Sequence, residues 1–189
     1  MSAFIDAGTY TFDDGYFPTR GVDAGLSYSW TFTGFPNRFH NFHTLTADAE
    51  VVVPAGDVFA FIPSFNFRFL LGKDIPIPYF NAVGGSLASR YVDQQMPFVG
   101  VTQLSAMKNI LTVFRTDFRF RLARNHYVKA VVNYARDCDR FSEYGQGLGY
   151  FGAAAEYSFD TIFGPLSANV HWSNITGKVG IYISAGYNF

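Results

Sequence analysis

The chain has 189 residues, enough for one domain, with 19% aromatic residues, 15% charged residues and a formal net charge of −1 at pH 7. This charge content is low for a soluble surface, and the balanced charge disfavours a nucleic-acid-binding protein, which would carry a basic footprint. The single Cys138 excludes an internal disulfide framework, and every apolar run is interrupted by polar residues or Pro, which excludes a transmembrane helix.

The N-terminal segment "MSAFIDAGTYTF" lacks a basic region followed by a continuous apolar stretch, so it is not a signal peptide. Its partly regular alternation over residues 3–12 predicts the first of nine strands. The second strand is clearer, because Leu26, Tyr28 and Trp30 alternate with Ser27 and Ser29. The same period of two predicts seven more strands, with apolar positions within residues 45–53, 59–71, 114–122, 128–134, 151–159, 166–172 and 179–189.

The length and chemistry of these strands indicate a membrane barrel. They run about 10 to 15 residues, longer than most soluble strands and long enough to cross a bilayer at a tilt. One face is apolar and ends in aromatic residues, while the other carries charged, amide and small side chains. Lipid outside and a polar lumen inside explain both faces. We therefore predict an all-β fold, an antiparallel transmembrane β-barrel with about nine strands, in which residues 1–189 form one partial outer-membrane domain.

The predicted connections alternate in length. Short links at 54–57, 123–126 and 160–164 alternate with longer ones at 33–43, about 72–107 and 139–149. Outer-membrane barrels have short periplasmic turns and longer outer loops, so the C-terminus is expected on the periplasmic side. Nine strands then place the N-terminus on the outer side. Because bacterial barrels have an even strand number and two periplasmic termini, we expect the sequence to be an excerpt with an added Met1.

The segment "AVGGSLASRY" is the longest part of the chain that does not alternate. Gly84 and Gly85 permit the backbone geometry needed to turn back into the lumen, so the long segment of about 72–107 is predicted to fold inward with Arg90 at its tip. A guanidinium group in a confined lumen needs carboxylate or amide partners. The alternative is an Arg90 side chain solvated on an outer loop.

Four local features resemble the C-terminal part of the BamA and two-partner-secretion transporter superfamily, the sixteen-stranded barrels of the bacterial surface antigen type. The segment "FPTRGVDAGLSYSWTF" resembles a periplasmic turn of that superfamily, and "VGGSLASRY" resembles its inward-folding loop. The segments "TDFRFRLARN" and "VVNYA" resemble the next two strands, and five predicted strands follow the loop, as in the superfamily. The resemblance implies that this chain is the C-terminal half of a sixteen-stranded barrel in the outer membrane of a Gram-negative bacterium.

The resemblance also implies a lock for the inward loop. Ser89-Arg90-Tyr91 keeps the Arg and the aromatic residue of the superfamily loop signature but lacks the Gly between them. Asp117 takes the place of an acidic residue in the following strand, and Asn133 stands where the next strand usually has an inward Asp. Arg90 is therefore expected to contact Asp117 as a charged partner and Asn133 as a neutral acceptor, in a weaker lock than usual.

The C-terminus and the apolar face imply partners. Tyr187-Asn188-Phe189 resembles the C-terminal assembly signal of outer-membrane proteins, which implies recognition by the outer-membrane assembly machinery. Membrane lipid and lipopolysaccharide are expected around the apolar face. If the excerpt folds alone, either two copies pair as a homo-oligomer or one strand peels away.

Three functions follow. Within the superfamily, "GGSLASRYVDQQMPF" most resembles the barrels fused behind patatin-like phospholipase domains in Bacteroidota, which implies a membrane anchor or translocator for such a domain. One alternative is a BamA-like or two-partner-type assembly or secretion pore with periplasmic repeat domains. The other is a small stand-alone porin-like or structural barrel.

No catalytic, cofactor or metal site is predicted in this segment. The run from Gly84 to Ala88 has Ala where a nucleophile elbow has its second Gly, and it follows no strand that leads into a helix. His40 and His43 lie in the predicted loop "RFHNFH", but no carboxylate or Cys nearby completes a metal-binding set. A basic stripe on one inward face is expected to pair with facing carboxylates rather than to select anions; its members are Arg115, Arg119 and Arg121.

Overall fold

The computed structural model describes residues 1–34, 38–84, 94–146 and 149–186. The strands in chain order are β1 (Ser2–Tyr10), β2 (Gly21–Gly34), β3 (Phe39–Ala55), β4 (Phe59–Gly72), β5 (Ala82–Val83), β6 (Gln95–Met96), β7 (Ser105–Ala106), β8 (Ile110–Ala123), β9 (His126–Cys138), β10 (Gly149–Thr161), β11 (Gly164–Ser173) and β12 (Val179–Ala185). Nine of them form one sheet in the order β1-β2-β3-β4-β8-β9-β10-β11-β12, in which every neighbouring pair is antiparallel. The predicted nine-stranded antiparallel architecture is confirmed. Within these ranges no helix is long and apolar enough to cross a membrane.

The two faces of this sheet differ as the alternation predicts. In β2 the side chains of Tyr28, Trp30 and Phe32 are exposed, whereas Thr31 between them is buried. The same alternation of exposure recurs in β4, β8, β9, β10, β11 and β12, except at the start of β8, where residues 110–113 are all buried. β1, one of the two edge strands, is exposed on both faces. The outer face is therefore the apolar one, and the inner face carries most of the polar side chains.

Aromatic pairs join β4 to β8 on the outer face. Three Phe pairs lie directly opposite each other in the register, with ring centroids 4.8, 5.5 and 5.1 Å apart: Phe59–Phe120, Phe61–Phe118 and Phe65–Phe114. Cross-strand aromatic pairs of this kind stabilise a sheet by about 0.5 to 1.5 kcal/mol each beyond their buried area. They fix the register at the strand pair that flanks the long connection.

The connections between neighbouring strands form two groups, one at each end of the sheet. The turns β1–β2, β3–β4, β8–β9 and β10–β11 lie at one end, called here the short-turn end, and the remaining connections of the nine-stranded sheet lie at the other, the long-loop end. One expected connection is wrong: residues 33–43 were predicted as a loop, but β2 continues to Gly34 and β3 already begins at Phe39. Thr33 lies opposite His40 in this extended pairing. The paired strands thus extend beyond the predicted apolar runs.

The β1–β2 turn folds across the inner face at the short-turn end. The Asp14 carboxylate accepts hydrogen bonds from the N–H groups of Tyr16 and Phe17 at 2.7 and 2.8 Å. The Asp13 carboxylate accepts from the Thr19 hydroxyl and N–H, and these hydrogen bonds lower the pKa of Asp13. In this turn conformation the Phe17 ring stacks nearly parallel on the Tyr127 ring, with the ring centroids 4.2 Å apart.

Candidate functional site

The connection between β4 and β8 lies against the inner face of the sheet. Its described residues, 73–84 and 94–109, are called here the lumen segment. Within it β5 pairs in parallel with β6 and antiparallel with β7. Its buried apolar side chains pack on inward residues of β8 and β9 in one cluster, formed by Val83, Met96, Phe98, Val101, Met107, Leu111, Val113 and Ala135. The inner face is therefore apolar where the lumen segment covers it.

Asn81 ties both ends of the lumen segment to the barrel wall. Its side chain is fully buried, and its oxygen accepts a hydrogen bond from the Arg68 guanidinium on β4 at 2.6 Å. Its amide nitrogen donates to the carbonyl groups of Lys108 and Asn109 at 2.7 and 3.0 Å. One side chain thus connects the start of the segment, its end and the neighbouring strand.

Asn81→Ala is expected to loosen the lumen segment. It removes three hydrogen bonds, so the Arg68 guanidinium and two backbone carbonyl groups each lose a partner. Each buried group left unsatisfied lowers the stability by about 1 to 3 kcal/mol. Amide hydrogen exchange over residues 94–109 should become faster. Asn125→Ala, which removes an exposed Asn at the short-turn end, is the matched control. Equal exchange in both variants would contradict the role given to Asn81.

A row of three inward residues holds the middle of the lumen segment. Asn133, Gly152 and Ser173 lie opposite one another across β9, β10 and β11. With its amide oxygen facing the segment, Asn133 accepts a hydrogen bond from the Val99 N–H at 2.5 Å. The Ser173 hydroxyl donates to the Gly100 carbonyl at 2.9 Å. These residues are called here the anchor row.

Glycine is needed on both sides of this contact. A Cβ at Gly152 would collide with the Val99 carbonyl oxygen, and a Cβ at Gly100 would lie 2.5 Å from the Trp172 carbonyl group. Gly100 also has a φ of +89°, in the region that favours glycine. The lumen segment therefore approaches the wall backbone to backbone. Gly152 and Ser173 were not predicted as site residues; the sequence shows only that they are small residues at inward positions, and their place beside Asn133 depends on the register.

A charged network on the inner face begins at Arg115, which lies opposite Asn133 of the anchor row, and extends from there toward the short-turn end. The Arg115 guanidinium binds the Asp117 carboxylate through two bonds of 2.6 and 2.7 Å, and both side chains are buried. Lys129 lies 3.5 Å from Asp117 and 3.0 Å from Glu156, measured from its Nζ to the nearest carboxylate oxygen. The pairing predicted for the basic stripe is confirmed at Arg115. At Arg119 the partner is instead the Pro18 carbonyl of the β1–β2 turn.

Two of the three residues of the predicted lock, Asp117 and Asn133, lie within the described residues. Asp117 and Asn133 both face inward and are buried, but they contact Arg115 and Val99 respectively. Arg90 and Gly85 lie outside the described residues, and so do Tyr187 and Phe189 of the expected assembly signal. Gly84 is described and has a φ of +120° at the end of β5. The contact of Arg90 with Asp117 stays a prediction.

The predicted loop histidines are strand residues on opposite faces of β3. His40 is buried on the inner face, whereas His43 lies on the outer face, where its Nδ1 is 2.7 Å from the Tyr28 hydroxyl. They cannot share a metal ion in this arrangement. In the ranges that the structure covers, no group of three or more His, Cys, Asp or Glu side chains is placed to hold a metal. Ser86 of the degenerate elbow falls outside these ranges.

The family model described as the OMP85 superfamily matches residues 1–189. No curated protein matches the chain significantly.

Proposed function

Because the chain belongs to the OMP85 superfamily, we propose that it forms part of an outer-membrane barrel that anchors or translocates a covalently attached domain. The observation that carries this proposal is the lumen segment, held on the inner face by Asn81 and the anchor row. A folded segment held against the inner face suits an anchor or a gated translocator better than a permanently open channel. An anchor can keep its lumen filled, and a translocator can release the segment when cargo arrives.

We further propose that the attached domain is a patatin-like phospholipase and that the source belongs to the Bacteroidota. The support is the resemblance of "GGSLASRYVDQQMPF" to barrels of that type. The test is to read the parent gene upstream of Met1 and to assay the full-length product for phospholipid hydrolysis. A Gly-x-Ser-x-Gly elbow whose Ser→Ala variant loses hydrolysis is the expected result. Repeated small α/β modules without an elbow would favour the assembly or secretion pore instead.

The purified chain is expected to need detergent or lipid. Its outer face leaves large apolar side chains exposed, with Val179, Ile181 and Ile183 at 69%, 72% and 74% of their full area. Water cannot solvate such a face favourably, whereas lipid can. In detergent the chain should be rich in β-structure by circular dichroism and should change its electrophoretic mobility on heating. A monodisperse monomer without detergent would contradict the membrane assignment.

A further inference from the structure

The short-turn end of the lumen contains a cavity that the proposed function does not use. Its volume is about 480 Å³, and it lies between the β1–β2 turn, the β3–β4 turn and the adjoining ends of β4, β8 and β9. Three guanidinium groups line it, from Arg20, Arg119 and Arg121, together with one carboxylate, from Asp57. The cavity is therefore a positively charged compartment in a chain whose overall charge is close to zero.

The three guanidinium groups lack carboxylate partners. Within the described residues no ion pair involves Arg20, Arg119 or Arg121. Asp117 binds Arg115 and Lys129, and the two Asp residues of the β1–β2 turn accept hydrogen bonds from that turn's own donors. Asp57 is the carboxylate in the described lining of the cavity. The positive charge in the cavity is thus only partly offset, by Asp57 in the lining and by the attraction of Asp13, Asp14 and Asp117 for Arg119.

Arg119 is held in place for binding. Its side chain is only 7% exposed, donates to the Pro18 carbonyl and lies 5.8 Å from the centre of the Tyr127 ring. The Phe17 ring covers Tyr127, so an aromatic stack adjoins the guanidinium groups. A guanidinium that is fixed beforehand loses less entropy when it binds a phosphate or carboxylate through two parallel hydrogen bonds.

We propose that this cavity binds a small water-soluble anion that carries phosphate or carboxylate groups. Its size suits a small-molecule ligand. Arg119 and Arg121 are at inward positions of β8, opposite to the apolar face, so the ligand enters from water and not from lipid. The aromatic stack offers a contact for an apolar or planar part of the ligand. The site is separate from the anchor row and does not depend on what domain is attached.

The test uses inorganic pyrophosphate and citrate as probes, titrated by calorimetry into the purified chain in a neutral detergent. Saturable binding of either probe is expected. Arg121→Gln should weaken it at least about tenfold, the loss expected when one charge-assisted hydrogen-bonding group is removed. Arg119→Gln should weaken it similarly. Arg124→Gln, an exposed Arg at the same end that does not line the cavity, is the matched control and should change the affinity less than twofold.

A gain in affinity provides a test that loss of folding cannot imitate. Asp57→Asn removes the one carboxylate among the described cavity residues and should tighten pyrophosphate binding about twofold to fivefold, because the repulsion is removed. The proposal is overturned if neither probe binds, if Arg124→Gln weakens binding as much as Arg121→Gln, or if Asp57→Asn leaves affinity unchanged or lower. Heat-modifiability of each variant shows separately whether the barrel has formed.

Discussion

Phe118→Arg is expected to destabilise the membrane-inserted fold by about 2 to 4 kcal/mol, the cost of an Arg on the lipid face near the middle of the bilayer. Phe118 lies on the outer face of β8, where it packs 5.5 Å from Phe61. The substitution therefore loses an aromatic pair as well as placing a charge in lipid. The measurement is the free energy of unfolding in lipid vesicles, determined by denaturant titration.

Asn169→Arg is the matched control, because it adds the same side chain to the inner face. Asn169 is 4% exposed and lies opposite Glu156 in the neighbouring strand. A guanidinium group there loses the hydrogen bond between Asn169 and His171, but it lies opposite the Glu156 carboxylate, which also binds Lys129, and not in lipid. Its effect should be much smaller than that of Phe118→Arg. Equal destabilisation by the two substitutions would contradict the assignment of faces.

Gly100→Ala is expected to displace the middle of the lumen segment from the anchor row. The added Cβ would collide with the Trp172 backbone and the Ser173 side chain, at a residue whose φ is already positive. Strain at such a φ and overpacking each cost about 1 to 3 kcal/mol. The Ser173 and Thr176 hydroxyls would also lose their bonds to the Gly100 carbonyl. Hydrogen exchange and protease cleavage within residues 94–101 should both increase.

Two other glycines separate the causes of this effect. Gly177 has a φ of +64° but nothing within 4 Å of an added Cβ, so Gly177→Ala tests the backbone conformation alone. Gly145 has open space and is not among the positive-φ residues, so Gly145→Ala tests neither. Only Gly100→Ala should expose the lumen segment. Exposure by Gly177→Ala to the same degree would show that close contact with the wall is not what holds the segment.

The strands and their faces could be predicted because lipid on one side and a polar lumen on the other impose a period of two. The prediction was wrong where that contrast is reversed. Phe42 faces inward and packs against Tyr79, while His43 faces outward and contacts Tyr28, so the pattern around β3 resembled a loop. Similarly, β8 begins at Ile110, before the predicted start at Phe114. The alternation does not show these first residues as strand, because the lumen segment makes the inner face apolar there.

The candidate site could be predicted less completely, because it depends on register. An inward Asn133 could be located from its position in the strand, and its superfamily counterpart drew attention to it. Gly152 and Ser173 gain their role only because they lie beside Asn133 across neighbouring strands. No periodicity within one strand reports which residue of the next strand it faces. Contacts with the lumen segment are harder still to predict from the sequence, because they join residues such as Gly100 and Ser173 that are far apart in the chain.

The order of the nine-stranded sheet restricts how a closed barrel can be made from it. Strand direction alternates across an antiparallel sheet, so its two edge strands, β1 and β12, point the same way. A seam between them would be parallel, and so would both seams of a ring made from two copies with the same orientation in the membrane. Antiparallel seams on both edges require an odd number of additional strands, which also gives the even total of bacterial outer-membrane barrels. Strand parity therefore makes a ring of two copies with the same membrane orientation a poor solution.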